Sequence, residues 1–162
     1  KDILLTLTSK NMADNKATSS ATTFRMETAV AINIKASADK IMALLTNATD
    51  FTKWNSTVIS VDGQIIQGEK IKLVSKLDPK RTFNLKVSQL TPTTMVWQDG
   101  FAPMFSGVRT FSLTPKSDGT TDFSMIEVFK GIMLPMIKGS LPDFKSNFEQ
   151  YALELKTAAE KQ

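Results

Sequence analysis

Alternating apolar and polar residues run through much of the chain and predict β-strands. Residues 24–34 and several runs between residues 58 and 129 have this period of two, and polar turns such as Asp62-Gly63 and Asp78-Pro79 separate the runs. Such alternation is typical of strands with one buried face. The pattern therefore predicts one early strand and about six antiparallel strands after it.

Apolar residues at helical spacing predict three helices around these strands. Ser37 is a suitable N-cap for a short helix that contains Ile41, and a second short helix is expected at residues 50–54. A long apolar stripe recurs near the C-terminus, at Phe144, Phe148, Tyr151, Ala152, Leu155 and Ala159. Ser140 and Pro142 favour a helix start there, so we expect about 19 helical residues, or about 28 Å, running to the chain end.

The order of these elements predicts an α+β fold in one folded domain. Residues 1–23 are poor in apolar residues after the first few and are expected to form a flexible N-terminal arm, whereas residues 24–162 are expected to form the domain. A curved antiparallel sheet of about six to seven strands, wrapped on the long C-terminal helix, satisfies the pattern most simply. A curved sheet cannot close tightly on one helix along its whole length, so we expect a cavity between them.

The composition excludes several kinds of chemistry. The 162 residues include no cysteine and no histidine, so disulfides, thiolate nucleophiles and catalytic triads with histidine are impossible. The carboxylates lack metal-ligand spacing, and no glycine-rich phosphate loop is present. We therefore expect no cofactor and no metal.

The charge pattern predicts neither nucleic-acid binding nor an integral membrane segment. The net charge is +4, but the lysines are scattered rather than clustered. No stretch reaches the roughly 18 apolar residues of a membrane span, and no export signal is evident, so a cytoplasmic location is expected. The chain begins with Lys1 rather than methionine, and Met12 would be a natural start, which would make residues 1–11 an extension.

Arg109 and Glu127 are the first candidate site residues. With ordinary register in the hairpin that turns at residues 116–119, Arg109 lies opposite Glu127 on the apolar, concave face. A charged pair there is costly unless the two groups pair with each other. The pair is either a structural ion pair at the cavity mouth or a polar anchor or acid/base pair for a ligand; a slip of one residue would turn both outward.

Asp99, Trp97 and Tyr151 are further candidate site residues. Asp99 is either a general base or a residue that stabilises the turn at Gly100. Trp97 is expected to line the cavity and Trp54 to pack in the core. Tyr151, the only tyrosine, is either a hydrogen-bond donor to the cavity or a core ring that reaches solvent.

Two methionine-containing, proline-broken segments, 100–106 and 131–139, are too apolar for ordinary loops. Methionine suits adaptable apolar surfaces, so we expect these segments to be walls or a lid at the cavity mouth. The alternatives are that they plug the open end or form a patch that touches a membrane.

Several motifs in order resemble the START/Bet v 1-like (SRPBCC) superfamily with its helix-grip fold, in particular the polyketide cyclase/dehydrase-like branch. The resemblance spans roughly residues 26–160 and rests on Val30–Ile41, Phe51–Asn55, Gly107–Phe111, Gly119–Thr121, Glu127–Gly131 and Leu155–Glu160. The glycine-rich loop of the pathogenesis-related branch is absent. The resemblance implies a cavity for apolar small molecules such as lipids, sterols or polyketides.

We therefore predict binding of a small hydrophobic ligand, for transport or sequestration. The alternatives are a cyclase or dehydratase with Glu127, Arg109 or Asp99 as catalytic candidates, and a protein-interaction accessory domain with an unknown partner. The predicted ligand-binding residues are Phe83, Leu85, Trp97, Asp99, Phe101, Met104, Phe105, Arg109, Phe111, Met125, Glu127, Phe129, Met133, Met136, Phe144, Phe148 and Tyr151.

Overall fold

Eight strands form one antiparallel sheet in the computed structural model, which describes residues 15–162. The strands are β1 Thr18–Thr22, β2 Arg25–Ile34, β3 Val58–Asp62, β4 Lys70–Ser75, β5 Phe83–Leu90, β6 Thr94–Phe101, β7 Phe105–Pro115 and β8 Thr121–Lys130. The helices are α1 Ala38–Thr46, α2 Phe51–Trp54, α3 Leu134–Ile137 and α4 Lys145–Ala159, with a 3₁₀-helix at Lys138–Ser140. The spatial order of the strands is β1-β2-β8-β7-β6-β5-β4-β3. This arrangement confirms the predicted α+β helix-grip fold, with slightly more strands than expected.

The additional strand, β1, lies within residues 1–23, the predicted flexible arm, and shows that residues 18–22 are a strand instead. Residues 18–22 pair with β2 from Thr18 opposite Ala29 to Thr22 opposite Arg25. Their side chains are mostly exposed, so backbone hydrogen bonds rather than apolar burial hold this edge strand. A strand of this kind leaves no hydrophobic alternation in the sequence. Residues 1–14 of the predicted arm lie outside the described part of the chain.

The sheet register agrees with the prediction for the last hairpin. Arg109 lies opposite Glu127, and in the same register Phe111 lies opposite Met125. Phe111 and Met125 are fully buried. Because side chains alternate between the two faces of a strand, the charged pair lies on the same concave face as these core residues.

The C-terminal helix covers one part of this face. α4 buries its apolar stripe against the sheet, including Phe148, Tyr151 and Leu155. It has 15 residues and begins at Lys145, so it is shorter than predicted. Asp143 accepts a hydrogen bond from the Lys145 backbone N–H at 3.0 Å, whereas the Ser140 hydroxyl donates to the Ile137 carbonyl instead of capping α4. The shorter helix leaves the sheet beyond its N-terminal end to be covered by other elements.

The two short helices after β2 close the other end of the core. Ser37 caps α1 as predicted, since its hydroxyl accepts from the Lys40 backbone N–H at 3.2 Å. Phe51, at the start of α2, is fully buried with its ring centroid 6.2 Å from that of Trp97. The ring centroid of Phe51 also lies 6.2 Å from that of Tyr151 near the middle of α4, whereas Phe144 and Asn147 at the N-terminal end of α4 border open space.

Candidate functional site

A cavity of about 530 Å³ lies between the concave face of the sheet and the chain that leads into α4. Small-molecule sites usually occupy roughly 300–1,000 Å³, so this space is large enough for a ligand. The cavity is lined by Thr57, Val58, Leu73, Ser75, Leu77, Asp78, Arg81, Phe83, Leu85, Trp97, Asp99, Phe105, Gly107, Arg109, Glu127, Phe129, Met133, Ile137, Ser140, Leu141, Pro142, Phe144 and Asn147.

Two structural units supply these side chains. Inward-facing positions of β4 to β8 form the sheet wall, including Leu85 of β5 and Phe129 of β8. The opposite wall comes from the segment between β8 and α4, through Met133 and Ile137 among others. Phe129 bridges the two walls, because its ring centroid lies 5.5 Å from that of Phe144 and 5.7 Å from that of Phe105. An aromatic cluster therefore holds the segment before α4 over the sheet.

Arg109 and Glu127 form an ion pair in the sheet wall. Their side chains are 18% and 16% exposed, so the pair is largely desolvated. The Arg109 Nε donates to Glu127 Oε2 at 3.0 Å, and Nη2 donates to the same oxygen. Glu127 Oε1 accepts no hydrogen bond from the residues described. The two hydrogen bonds fix the side chains relative to each other, and Glu127 Oε1 can still accept a hydrogen bond from a ligand in the cavity.

Aromatic rings of α4 support the guanidinium of Arg109. Its Cζ lies 5.0 Å from the ring centroid of Phe148 and 5.9 Å from that of Tyr151. Such cation–π contacts stabilise a partly desolvated arginine. Arg109 is therefore fixed by a carboxylate from β8 and by two rings from α4.

Three further charged residues line the cavity. Asp78 and Arg81 flank the turn between β4 and β5, and Asp99 lies on β6, diagonal to Arg109 across the β6–β7 ladder. The Arg81 guanidinium lies 4.5 Å from the ring centroid of Phe83. Among residues 15–162, none of the three has a salt-bridge partner within 4.0 Å. The cavity consequently has apolar walls with two separate polar regions.

Several buried polar atoms beside the cavity have no hydrogen-bond partner in the described chain. They include the Tyr151 hydroxyl, Trp97 Nε1 and Asn55 Nδ2. Burial raises the pKa of the Tyr151 hydroxyl well above its ordinary value, with the Arg109 charge opposing this effect and that of Glu127 adding to it. Asn55 is held in place because its Oδ1 accepts from the backbone N–H and the hydroxyl of Thr57, a cavity-lining residue. The hydroxyl of Tyr151, Nε1 of Trp97 and Nδ2 of Asn55 therefore donate no hydrogen bond to another described residue.

Many of the predicted ligand-binding residues surround the cavity. Trp97 lines it, whereas Trp54 packs beside Phe51 and Tyr151. The predicted residues brought together are Phe83, Leu85, Trp97, Asp99, Phe105, Arg109, Glu127, Phe129, Met133 and Phe144.

Other predicted residues lie elsewhere. Phe111, Met125, Phe148 and Tyr151 are fully buried in the core, because α4 lies directly over that part of the sheet. Tyr151 therefore reaches neither the cavity surface nor solvent. Phe101 and Met136 are 71% and 80% exposed, on the outer side of the two apolar segments. Met104 does not line the cavity either; it is partly buried at the β6–β7 turn.

The residues that the sequence pattern missed come mainly from turns and from distant elements. Asp78 and Arg81 belong to the turn after β4, and Thr57 and Val58 follow α2. Leu73 alternates inward on β4 and could have been identified from that pattern. The turn residues carry no periodic signal, since only the tertiary fold brings them over the concave face.

Within the described residues, no group of three or more aspartate and glutamate side chains could hold a metal ion. The side chains that line the cavity can contact an apolar molecule, form hydrogen bonds and ion pairs, and transfer protons through their carboxylates.

A family model described as polyketide cyclase/dehydrase and lipid transport matches residues 24–160. The match covers every element from β2 to α4 and all the residues that line the cavity. A comparison with curated proteins gives no significant match.

Several solved structures share the fold. A conserved protein of unknown function from Enterococcus faecalis is 14% identical, with a TM-score of 0.64 over 94% of this chain and 80% of the other. A START superfamily protein from Mycobacterium smegmatis is 15% identical, with a TM-score of 0.61 over 83% of this chain and 97% of the other. The di-domain ARO/CYC protein BexL, from the BE-7585A biosynthetic pathway, is 11% identical, with a TM-score of 0.64 over 95% of this chain and 54% of BexL. At these identities the likeness concerns the fold alone.

Proposed function

The chain belongs to the polyketide cyclase/dehydrase and lipid transport family, and on that premise we propose that it binds a small hydrophobic molecule in the cavity between the sheet and the segment before α4. The observation that carries this proposal is the volume of about 530 Å³ bounded by aromatic and aliphatic side chains. A space of this size with few convergent polar groups is the usual form of a ligand site.

The ligand class follows from the distribution of polar groups. Leu73, Leu85 and Phe129 offer apolar contact along the wall, which favours a ligand whose bulk is hydrocarbon or aromatic. Arg109 and Glu127 offer a donor and an acceptor in a largely desolvated place, so a matching hydroxyl or carbonyl would gain a charge-assisted hydrogen bond there. The favoured ligand is therefore amphipathic, with an apolar body and at least one oxygen-bearing group. Transport or sequestration of such a molecule is the role we propose.

A neutral fluorescent probe tests cavity binding without knowledge of the natural ligand. N-phenyl-1-naphthylamine becomes fluorescent in apolar surroundings. Leu85→Asp places a carboxylate in the apolar wall, and its matched control, Asn84→Asp, adds the same group at the adjacent exposed position of β5.

We expect wild-type protein and Asn84→Asp to bind the probe alike, and Leu85→Asp to bind it at least about tenfold more weakly, the equivalent of about 1.4 kcal/mol. Circular dichroism checks that both variants fold. Equal loss in the two variants, or saturable binding that Leu85→Asp leaves unchanged, would contradict the proposal.

A second candidate function is acid/base catalysis on a bound polyketide-like substrate. It is favoured by the presence of Asp99 on the cavity wall, without an ion-pair partner among the described residues, near Arg109. A positioned carboxylate of this kind can accept a proton from a substrate within hydrogen-bond reach. If the protein is an enzyme, Asp99→Asn should abolish turnover of a β-ketoacyl substrate while the binding of N-phenyl-1-naphthylamine stays the same.

A further inference from the structure

Four large apolar side chains are exposed at one end of the molecule. Phe24 is 55% exposed, Phe101 71%, Ile132 58% and Met136 80%. Large apolar residues that are mostly in water cost free energy unless something covers them, and a group of them at one place marks an interaction surface. We call these residues, with Arg25, Lys130 and Lys138, the tip.

The tip is a single surface although its residues are far apart in sequence. The sheet register aligns the start of β2 with the end of β8, since Arg25 pairs with Lys130. The same register aligns the end of β6 with the start of β7, since Phe101 pairs with Phe105.

Hydrogen bonds join the three segments that carry the tip. The backbone N–H of Gly131 donates to the Phe24 carbonyl at 3.2 Å, and that of Ile132 donates to the Pro103 carbonyl at 3.1 Å. Phe24, Pro103 and Ile132 also line one open depression in the surface. The exposed apolar side chains therefore act together rather than singly.

The charges of the tip are of one sign. Over residues 22–25, 101–106 and 130–142 the charged residues are Arg25, Lys130 and Lys138, with no acidic residue. Arg25 is paired with Glu27 at 2.7 Å, and Lys138 donates to the Thr22 carbonyl at 2.6 Å, which holds its ammonium at the tip. Lys130 is exposed and has no salt bridge to a described residue. Exposed apolar side chains with two lysines beside them complement a surface that is apolar inside and negative outside.

The segment behind the tip is also a wall of the cavity. Met133 and Ile137 face the cavity, whereas their neighbours Ile132 and Met136 face solvent. A short helix, α3, and the turn before it thus separate the cavity from the exposed surface.

We propose that the tip docks on the surface of a membrane rich in anionic lipid, with Phe101, Ile132 and Met136 inserted among the headgroups. Exposed apolar residues gain by insertion at the headgroup boundary, and nearby lysines gain from the negative surface potential. None of the helices within residues 15–162 is long and apolar enough to cross a membrane. Docking would bring the cavity wall to the lipid surface, where a hydrophobic ligand partitions. The docking itself does not depend on what the cavity binds.

Sedimentation with lipid vesicles tests the proposal on the full chain with no added ligand. Vesicles of phosphatidylcholine alone are compared with vesicles of phosphatidylcholine and phosphatidylserine at low and at high salt. We expect binding to the anionic vesicles, and weaker binding at high salt because salt screens the lysines.

Two pairs of variants locate the surface. Phe101→Ser with Met136→Ser should lower the partition coefficient at least about tenfold, whereas Ile66→Ser with Leu153→Ser, which removes exposed apolar residues elsewhere, should not change it. Lys130→Gln should lower it about fivefold, whereas Lys86→Gln, an exposed lysine of β5, should change it much less.

Absence of binding to anionic vesicles, or equal effects of the tip and control variants, would overturn the proposal. Concentration-dependent dimerisation that the tip variants abolish, without any vesicle binding, would identify a second copy of the chain as the occupant and would also overturn it. Because the sedimentation experiment contains no cavity ligand, a failure to bind vesicles does not contradict cavity binding. A failure to bind N-phenyl-1-naphthylamine likewise does not contradict docking on a membrane.

Discussion

At the scale of single residues, Tyr151 shows how closely the core and the site are joined. Its ring packs against Trp54, Phe111 and the Arg109 guanidinium, yet its hydroxyl has no hydrogen-bond partner among residues 15–162. A buried hydroxyl without a partner costs about 1–3 kcal/mol relative to its hydration in the unfolded chain. The ring therefore stabilises the core through its packing, whereas its unpaired hydroxyl destabilises the folded state.

Removal of this hydroxyl should stabilise the protein. Tyr151→Phe keeps the ring and its contacts, so we expect the free energy of unfolding to rise by about 1 kcal/mol. Urea denaturation followed by circular dichroism measures the change. A clear loss of stability would show that the hydroxyl makes a favourable contact in the native protein.

The same residue predicts a loss of stability at alkaline pH. Burial raises the pKa of Tyr151 in the folded state, whereas in the unfolded chain it ionises near its ordinary value of 10.0. Above that pH the unfolded state has lost the proton that the folded state keeps, so stability falls as the pH rises. Because Tyr151 is the only tyrosine, tyrosinate absorbance reports it alone.

We expect no tyrosinate signal in the native protein at pH 10, and a signal that appears only together with unfolding at higher pH. Titration of the native protein near the ordinary pKa would contradict the burial of this side chain. The control is Tyr151→Phe, whose free energy of unfolding should fall less than that of the wild type as the pH rises.

At the scale of elements, the segment between β8 and α4 determines whether the cavity exists. It crosses from the sheet to the helix at Gly131, which has a φ of 142°. A Cβ on Gly131 would lie 2.2 Å from the Met104 carbonyl oxygen, so both the backbone conformation and the space require glycine. This close approach ties the segment to the β6–β7 turn.

Substitution of this glycine should loosen the cavity wall. We expect Gly131→Ala to lower the free energy of unfolding by at least about 2 kcal/mol, because the backbone must shift to relieve the contact. Gly139→Ala is the matched control: no atom lies within 4 Å of its built Cβ, and its φ is not in the left-handed region. Thermal denaturation compares the two variants; equal effects would contradict the role assigned to Gly131.

The elements themselves were largely predictable from the sequence, and their exceptions have physical causes. Period-two alternation identified β2 and β4 to β8, and the turn at residues 116–119 gave the register that pairs Arg109 with Glu127. β1 was not predicted because its pairing at the sheet edge involves backbone groups and leaves its side chains exposed. α3 was not predicted because its residues Leu134–Ile137 are all apolar and include a proline, so they show no alternation between a buried and an exposed face.

At the scale of the whole molecule, the cavity follows from a mismatch between the two main elements. α4 packs its 15 residues over one end of an eight-stranded sheet, and the other end is covered by a short, apolar connection. The sequence predicted this cavity and part of its wall. It could not place Phe111 or Met125 in the packed half rather than the open half, because both halves have the same inward alternation. Asp78 and Arg81 could be assigned only from the tertiary structure.

Direct contact between a bound ligand and Trp97 tests this account most directly. Trp97 lines the cavity and Trp54 does not, so Trp54→Phe leaves a tryptophan at the cavity as the sole emitter. The probe is dibromostearate, an amphipathic fatty acid whose bromine atoms quench tryptophan on contact, with ordinary stearate as its competitor. We expect saturable quenching of Trp97 emission that stearate reverses, and much weaker quenching in Trp97→Phe, where Trp54 remains. Equal quenching of the two variants, or none up to the solubility limit of the probe, would contradict the claim that the cavity receives an apolar ligand.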